Sequence, residues 1–397
     1  MNPWRSLGGL PRGLWILFAT TLVNRAGTMV MPFLALWLTQ TQGFSAERAG
    51  QLLAFYGLGS IVAAPASGWL SDRIAPHRVM EASLILSGLA VLLLPAARGF
   101  FTIAGLVFLW SVLAEFFRPA SLLTIHELAP PDKTRTAVAL QRLAINLGMS
   151  TGPAVGGFLV LYSFKSVFVV DGVTSILAGL VMLSAAGASL RALPRVQAAN
   201  GALTRSGTPV WADRGFLFFL LAMIPSCCVF FQLQSTLAIF LVRDLGLAPS
   251  VYGLLFTVNT LLIVAIEVPL TAWISRHPIR WSTATGGVLL ACGFGGMALI
   301  RGLPGAIVCT VLWTFGEMLL LPALVTQAGV LAPPERRGEY MGAYGLGINL
   351  TAVLGPWVGM GLLEHHGART LWTWCLVAGL LSAGLMWRVR EPIRVRS

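Results

Sequence analysis

A chain of 397 residues that is 56% hydrophobic and only 11% charged, with a mean hydropathy of +0.79, departs far from soluble domains, where about a quarter of residues carry charge. Its formal charge of +12 would point to nucleic acid only if the basic residues were gathered on one solvated surface, and their placement below excludes that. The five cysteines, Cys227, Cys228, Cys292, Cys309 and Cys375, all fall in apolar segments without metal-ligand or disulfide-framework spacing, and read as small packing residues.

The N-terminal MNPWRSLGGLPRG leads into an apolar stretch of about 25 residues, too long for a signal-peptide core and without a small-residue cleavage site, and is expected to be retained. In chain order the apolar segments long enough to cross a bilayer, at about 20 residues each, lie near 14–39, 48–70, 78–97, 101–126, 135–161, 166–188, 214–242, 250–274, 281–300, 304–330, 338–363 and 369–388. The sequence thus predicts an all-α polytopic membrane protein with twelve transmembrane helices and both termini on one side of the lipid bilayer. Of the 27 basic residues, eighteen lie in the loops on the side of the termini, six in the opposite loops, and Arg25, Arg118 and Arg142 inside spans. This threefold bias places the termini in the cytoplasm. The net charge is a topology signal, and no nucleic-acid partner is expected.

Several spans carry polar groups that are costly in a bilayer and so need a partner or a task. Span one has Asn24 and Arg25, about eleven residues in, or roughly 16 Å at 1.5 Å per residue. Span four has Trp110 and then Glu115 and Arg118, three apart and on one helical face. Span five has Gln141, Arg142 and Asn146, followed by NLGMSTGPAVGG from Asn146 to Gly157. Gly148, Gly152 and Gly156 recur four apart, the spacing that lets membrane helices approach closely, and Pro153 frees the carbonyl of Met149. Asp171 in span six, close to Lys165, reads as a helix-end carboxylate. Span seven carries Phe230, Phe231, Gln232 and Gln234, span eight Glu267 near one end, span ten Trp313 and Glu317, and span eleven Asn349.

At an offset of 203 residues LAPPDK at Leu128 pairs with LAPPER at Leu331, INLGMSTGP at Ile145 with INLTAVLGP at Ile348, and Trp110 with Trp313. The chain is a duplication, with expected domains 1–188 and 214–397 as two pseudo-symmetric six-helix bundles and 189–213 as a cytoplasmic linker. Six spans per copy give both copies one orientation, related by an axis along the membrane normal.

Two stretches resemble known family motifs. GWLSDRIAPHR, from Gly68 to Arg78, resembles the loop between spans two and three of the major facilitator superfamily, matching at Gly68, Leu70, Asp72, Arg73 and Arg78 and departing at Ala75, Pro76 and His77. GMSTGPAVGG, with Gly148, Gly152, Pro153, Gly156 and Gly157, resembles the span-five pattern of that superfamily's antiporters, whereas the second copy keeps only Gly355, Pro356 and Gly359. The resemblance covers essentially the whole chain and implies a secondary transporter whose halves rock about a central site. It further implies a latch at Asp72, Arg73 and Arg78, present in the first half alone because AWISRHPIRW carries arginine where the acid should be. It implies a monomer in a bacterial inner membrane.

A proton-coupled carrier needs a buried carboxylate within reach of a cation. Glu115 with Arg118 and Arg25 fits that description, or else forms an anchoring ion pair, and Glu317, with no basic residue in its segment, is the other candidate for a proton or a cationic ligand. Asn146, Asn349, Arg142, Gln232, Gln234, Trp110 and Trp313 are the expected lining. Aromatic walls with few directed polar groups suit amphipathic molecules. The leading expectation is a drug:proton antiporter driven by the proton motive force, without another cofactor, and its partners are protons and a small-molecule substrate. Uptake symport of a sugar, peptide or metabolite, and lipid or lysophospholipid transport, are the alternatives. No Walker loop appears, so no ATP is expected, and no nucleophile or metal motif suggests an enzyme.

Overall fold

The computed structural model describes residues 10–130, 133–190, 208–274 and 277–389, without the side chains at 64, 68, 69, 71, 72, 135, 139, 185–190, 268, 271 and 272. Among the described residues there is no strand. The first half comprises α1 (Arg12–Gly27), α2 (Val30–Gln40), α3 (Ala46–Arg73), α4 (Pro76–Leu93), α5 (Phe100–Glu115), α6 (Phe117–Leu128), α7 (Thr134–Tyr162) and α8 (Phe164–Leu190). The second comprises α9 (Arg214–Phe230), α10 (Thr236–Ile239), α11 (Pro249–Ile274), α12 (Ile279–Gly296), α13 (Leu303–Leu331) and α14 (Arg337–Trp387).

Ten of the described helical stretches are long and apolar enough to cross a membrane. The longest breaks at Gly367, whose φ of 80° lies in the left-handed region that only glycine enters freely, and so holds spans eleven and twelve. With that division, and with α12 as span nine, the expected twelve are present. The duplication also shows in the turns. Gly43 (φ 71°) and Gly246 (φ 65°) stand at the repeat offset and both reverse the chain after the first span of their copy.

Two expected spans are not continuous helices. Span one stops at Gly27 and restarts at Val30. Pro32 favours a break here, because it has no N–H to give the carbonyl of Thr28 and its ring would collide with that oxygen. Span seven passes from α9 through a 3₁₀ turn at Phe231–Gln234 into α10 and then a π-helical turn at Phe240–Asp244. Counting back by the repeat offset, this second break corresponds to the first.

The chain divides into two compact units, one of residues 1–37, 55–200 and 252–260, the other of 38–54, 201–251 and 261–397. The partition is not that of the duplication, since a segment from each copy clusters with the other copy's unit. Within the first unit α4 packs along α8, and Gly88 and Gly172 meet with almost no space for side chains between them. Leu14, Leu17, Met80, Phe117 and Met182 form part of its apolar core. Within the second unit α12 packs against α13, with Gly286 facing Gly316 and Gly293 facing the backbone of Trp313. Bare backbone at these crossings replaces the hydrophobic driving force that lipid cannot supply.

Candidate transport site

In the first unit the polar groups gather around the break in span one. Asp171, eight residues into α8 and only 4% exposed, accepts hydrogen bonds at Oδ2 from the backbone N–H groups of Met29 and Val30, both at 2.9 Å. These amides begin α2 and lack the helical partner that an unbroken span would give them. The carboxylate therefore sits at the positive end of α2, where a negative charge is favoured. Asn24 Nδ2 donates to Ser175 Oγ at 3.1 Å, and Thr28 Oγ1 donates to the carbonyl of Asn24 at 3.0 Å. Gln141, buried in α7, donates through Nε2 to Thr21 Oγ1 at 3.0 Å.

The glycine motif of span five lies on the same break. A Cβ at Gly152 would stand 2.9 Å from the Thr28 carbonyl oxygen and 3.1 Å from those of Ala26 and Arg25. One at Gly148 would overlap Arg25, and one at Gly156 would stand 3.0 Å from the ring of Phe33. Gly157 is buried. On its other side the motif meets α11, which contributes to this unit through 252–260. Gly253 rests on the carbonyl of Pro153, and Thr257 Oγ1 donates to the carbonyl of Ser150 at 3.2 Å. Proline and its glycines thus present bare carbonyls and open backbone to both neighbours.

Of the residues singled out in sequence, Arg25 is half-buried at the end of α1, with its Nε buried and lacking a hydrogen-bond partner among the described residues. Glu115 and Asn146 are half-buried, while Arg118 and Arg142 are exposed. Trp110 is buried and meets Tyr56 edge-on at 5.0 Å between ring centroids, so it packs span four against span two. Arg73 and Arg78 are exposed, and Gly68 and Asp72 lie outside the described side chains. Asp171, which reads in sequence as a helix-end carboxylate, lies instead under the break in span one. The signal was present, namely an acid one-third of the way into a span in a copy whose first span contains Gly27 and Pro32, but its partner lies more than 140 residues away.

In the second unit Gln232 occupies the corresponding break. It has no exposed surface. Its Nε2 donates to the carbonyls of Cys228 at 2.9 Å and Gly355 at 2.8 Å, and its Oε1 accepts from Thr236 Oγ1 at 2.8 Å. Gly355, the repeat counterpart of Gly152, again approaches the broken span, here at Phe231 and the Cys228 carbonyl. Gln232 fills the break with an amide instead of lining a cavity. Trp313, also without exposed surface, stacks on Phe294 at 5.5 Å and packs span ten against span nine. Glu317, Asn349 and Gln234 are half-buried.

Around residues 38–54, within the second unit, the backbone N–H of Ala46 donates to Glu364 Oε2 at 3.0 Å, and His365 Nε2 lies 3.1 Å from Glu47 Oε2. At the start of α9, Asp213 caps the helix by accepting from Phe216 N at 3.0 Å, and Tyr340 Oη donates to its other oxygen at 2.9 Å.

The model of the Major Facilitator Superfamily matches residues 16–241 and 219–396. Among curated relatives, the chain is 26% identical to the uncharacterized MFS-type transporter YqjV of Bacillus subtilis, over 97% of this chain and 94% of that one. It is 25% identical to a Na(+), Li(+), K(+)/H(+) antiporter of Planococcus maritimus, over 85% and 88%. It is likewise 25% identical to the multidrug resistance protein MdtH of Aeromonas hydrophila, over 89% and 88%. The fold is similar to that of a POT family transporter crystallised with a thioalcohol-conjugated peptide, at a TM-score of 0.78 and 14% identity over 96% of each chain.

Proposed function

The chain belongs to the Major Facilitator Superfamily, a family of multi-pass membrane transporters rather than enzymes, and on that premise we propose that it exports amphipathic small molecules in exchange for protons. The observation that carries this reading is the placement of the antiporter-type glycine motif, whose Gly148 and Gly152 press on the break in span one while Pro153 and Ser150 receive Gly253 and Thr257 of span eight. A motif that grips both the bent part of span one and a segment of the other copy is suited to holding one side of the transporter shut while the other opens. The likeness to a multidrug resistance protein and to a cation/proton antiporter supports the same direction of transport.

In this reading the protein resides in a bacterial inner membrane with both termini in the cytoplasm, and the two copies, 1–188 and 214–397, are the moving parts. It works as a monomer, driven by the proton motive force without ATP. Asp72 with Arg73 and Arg78 latches the cytoplasmic side. Glu317 meets the cationic end of the substrate or a proton, and Glu115 with Arg25 forms the electrostatic counterpart in the first copy. Alternating access then follows from differential stability of two arrangements with and without bound protons.

The test is expression in a pump-deficient bacterium challenged with ethidium, paired with inverted vesicles in which ethidium is added to an established pH gradient. The reading expects at least a fourfold rise in the inhibitory concentration and proton release from the vesicles on adding ethidium, both lost in Glu317→Gln. Unchanged susceptibility together with proton-driven accumulation of peptides or sugars in right-side-out vesicles would replace export with uptake symport.

A further inference from the structure

We propose that Asp171 is a proton-binding site and that its ionisation state sets the geometry of the break in span one. This assignment rests on the proton-coupled reading above and names a group through which the coupling acts. The carboxylate is buried, and it takes hydrogen bonds from Met29 N and Val30 N at the first turn of α2. An ionised carboxylate accepts such bonds strongly and is matched to the helix N-terminus. Once protonated it becomes a weaker acceptor with an O–H that needs an acceptor of its own, and the charge that suited the start of α2 is gone. The proton comes from the medium, binds the carboxylate oxygen, and leaves by the same group, so nothing else is consumed.

The charge has few titratable neighbours. Arg25, four residues before Met29 at the end of α1, is the basic residue at the break, with its Nε buried and without a hydrogen-bond partner among the described residues, and Tyr56 of α3 and Glu115 of α5 are the other titratable groups near it. The remaining titratable groups on the packed elements lie farther along them: Arg12 at the start of α1, Lys165 six residues back on α8, Arg135 and Arg142 on α7 before Gly148 and Tyr162 at its end, and His77, Arg78 and Glu81 on α4. On α4 the residues that meet Asp171's neighbour Gly172 are Leu92 and Gly88, and even Gly88 is seven residues past Glu81, or about 10 Å along the helix. α2 has no titratable residue.

A released first turn of α2 would be felt directly by transport machinery. Gly152 touches the carbonyls of Arg25, Ala26 and Thr28, and Gly27 abuts Thr174, whose hydroxyl donates to the carbonyl of Asp171 at 3.0 Å. Any change of angle between α1 and α2 must therefore shift span five against span one. The second copy has no equivalent, because the repeat offset places Trp374 opposite Asp171 and Gln232, which does not titrate, fills its break.

The experiment uses the purified full chain in lipid nanodiscs and follows amide hydrogen exchange of peptides covering 26–36 between pH 5.5 and 8, corrected for intrinsic rates. Corrected exchange at Met29 and Val30 is expected to rise at least fivefold toward low pH in the wild type and in Asp171→Glu, and to be high and flat with pH in Asp171→Asn. A flat wild-type profile, or an Asp171→Asn profile that tracks the wild type, overturns the assignment, and the wild-type and Asp171→Glu profiles decide should Asp171→Asn fail to fold. The ethidium assay separates the two readings. Absent ethidium export with a pH-dependent break removes the export reading and leaves Asp171 in place, whereas pH-driven ethidium export that survives Asp171→Asn removes Asp171 and leaves the export reading.

Discussion

Spans one and seven are repeat counterparts, both broken at corresponding points, yet the gaps are closed by different chemistry. In the first, the amides of Met29 and Val30 turn to the carboxylate of Asp171 from another helix. In the second, Gln232 turns back within its own span to Cys228 and reaches across to Gly355. Both solutions satisfy backbone groups that the bilayer cannot hydrate. Only the first changes its charge when a proton binds. A duplicated scaffold has thus kept one shape in two places while closing one break with a carboxylate and the other with a neutral amide.

The largest effect expected from breaking this comparison is at Gly152. Gly152→Leu drives a side chain into three carbonyls of span one, and rigid backbone cannot yield as a side chain can. We expect a cost of about 3 kcal/mol or more and ethidium export below a tenth of wild type at matched expression. Gly156→Ala, whose nearest contacts are the ring of Phe33 and the Met29 side chain, should keep more than half. Equal loss in both variants would mean that the carbonyl contacts do not matter.

Next in size is Gln232→Ala. Three hydrogen bonds vanish and the Cys228 and Gly355 carbonyls and the Thr236 hydroxyl lose a partner, for roughly 2 kcal/mol. Thermal unfolding in detergent should shift down by several degrees, while the pH profile of transport keeps its shape. A changed pH profile would contradict the view that this break is passive.

How far the sequence foretold this architecture depends on the kind of signal. Hydropathy and the repeat of LAPPDK and LAPPER make the spans and the duplication legible, because both are local or translational patterns. Gly148 and Gly152 were legible for the same reason. Asp171 was not, since an acid near Lys165 looks like a helix end until the fold brings the break in span one to it. Gln232 and Trp313 looked like cavity lining because residue type says nothing about which face of a span turns inward, and packing has buried both completely. Pro32 could have announced the first break, but the second contains no proline at the matching place, where Ser235 stands.

Smaller still is Tyr340→Phe, which removes the donor to Asp213 Oδ2 and to the Thr208 carbonyl but leaves the cap on Phe216. About 1 kcal/mol should be lost, and limited proteolysis ahead of α9 should quicken. Unaltered cleavage would show that this bond does not secure the entry to the second copy. The least effect is expected from Glu47→Gln, whose ion pair with His365 is solvent-exposed on both sides. Exposed pairs contribute between nothing and about 1 kcal/mol, so unfolding temperature should barely move, and a marked drop would assign that pair more than a surface role.

The contrast between the two breaks is tested most directly by ethidium export from inverted vesicles at imposed pH gradients, with Asp171→Asn and Gln232→Ala measured side by side. Export in Asp171→Asn should no longer respond to the size of the gradient, while Gln232→Ala, at whatever level it is expressed, should respond as steeply as the wild type. If Asp171→Asn keeps the wild-type slope, or if Gln232→Ala loses it, the charge at the break in span one is not what couples protons to movement.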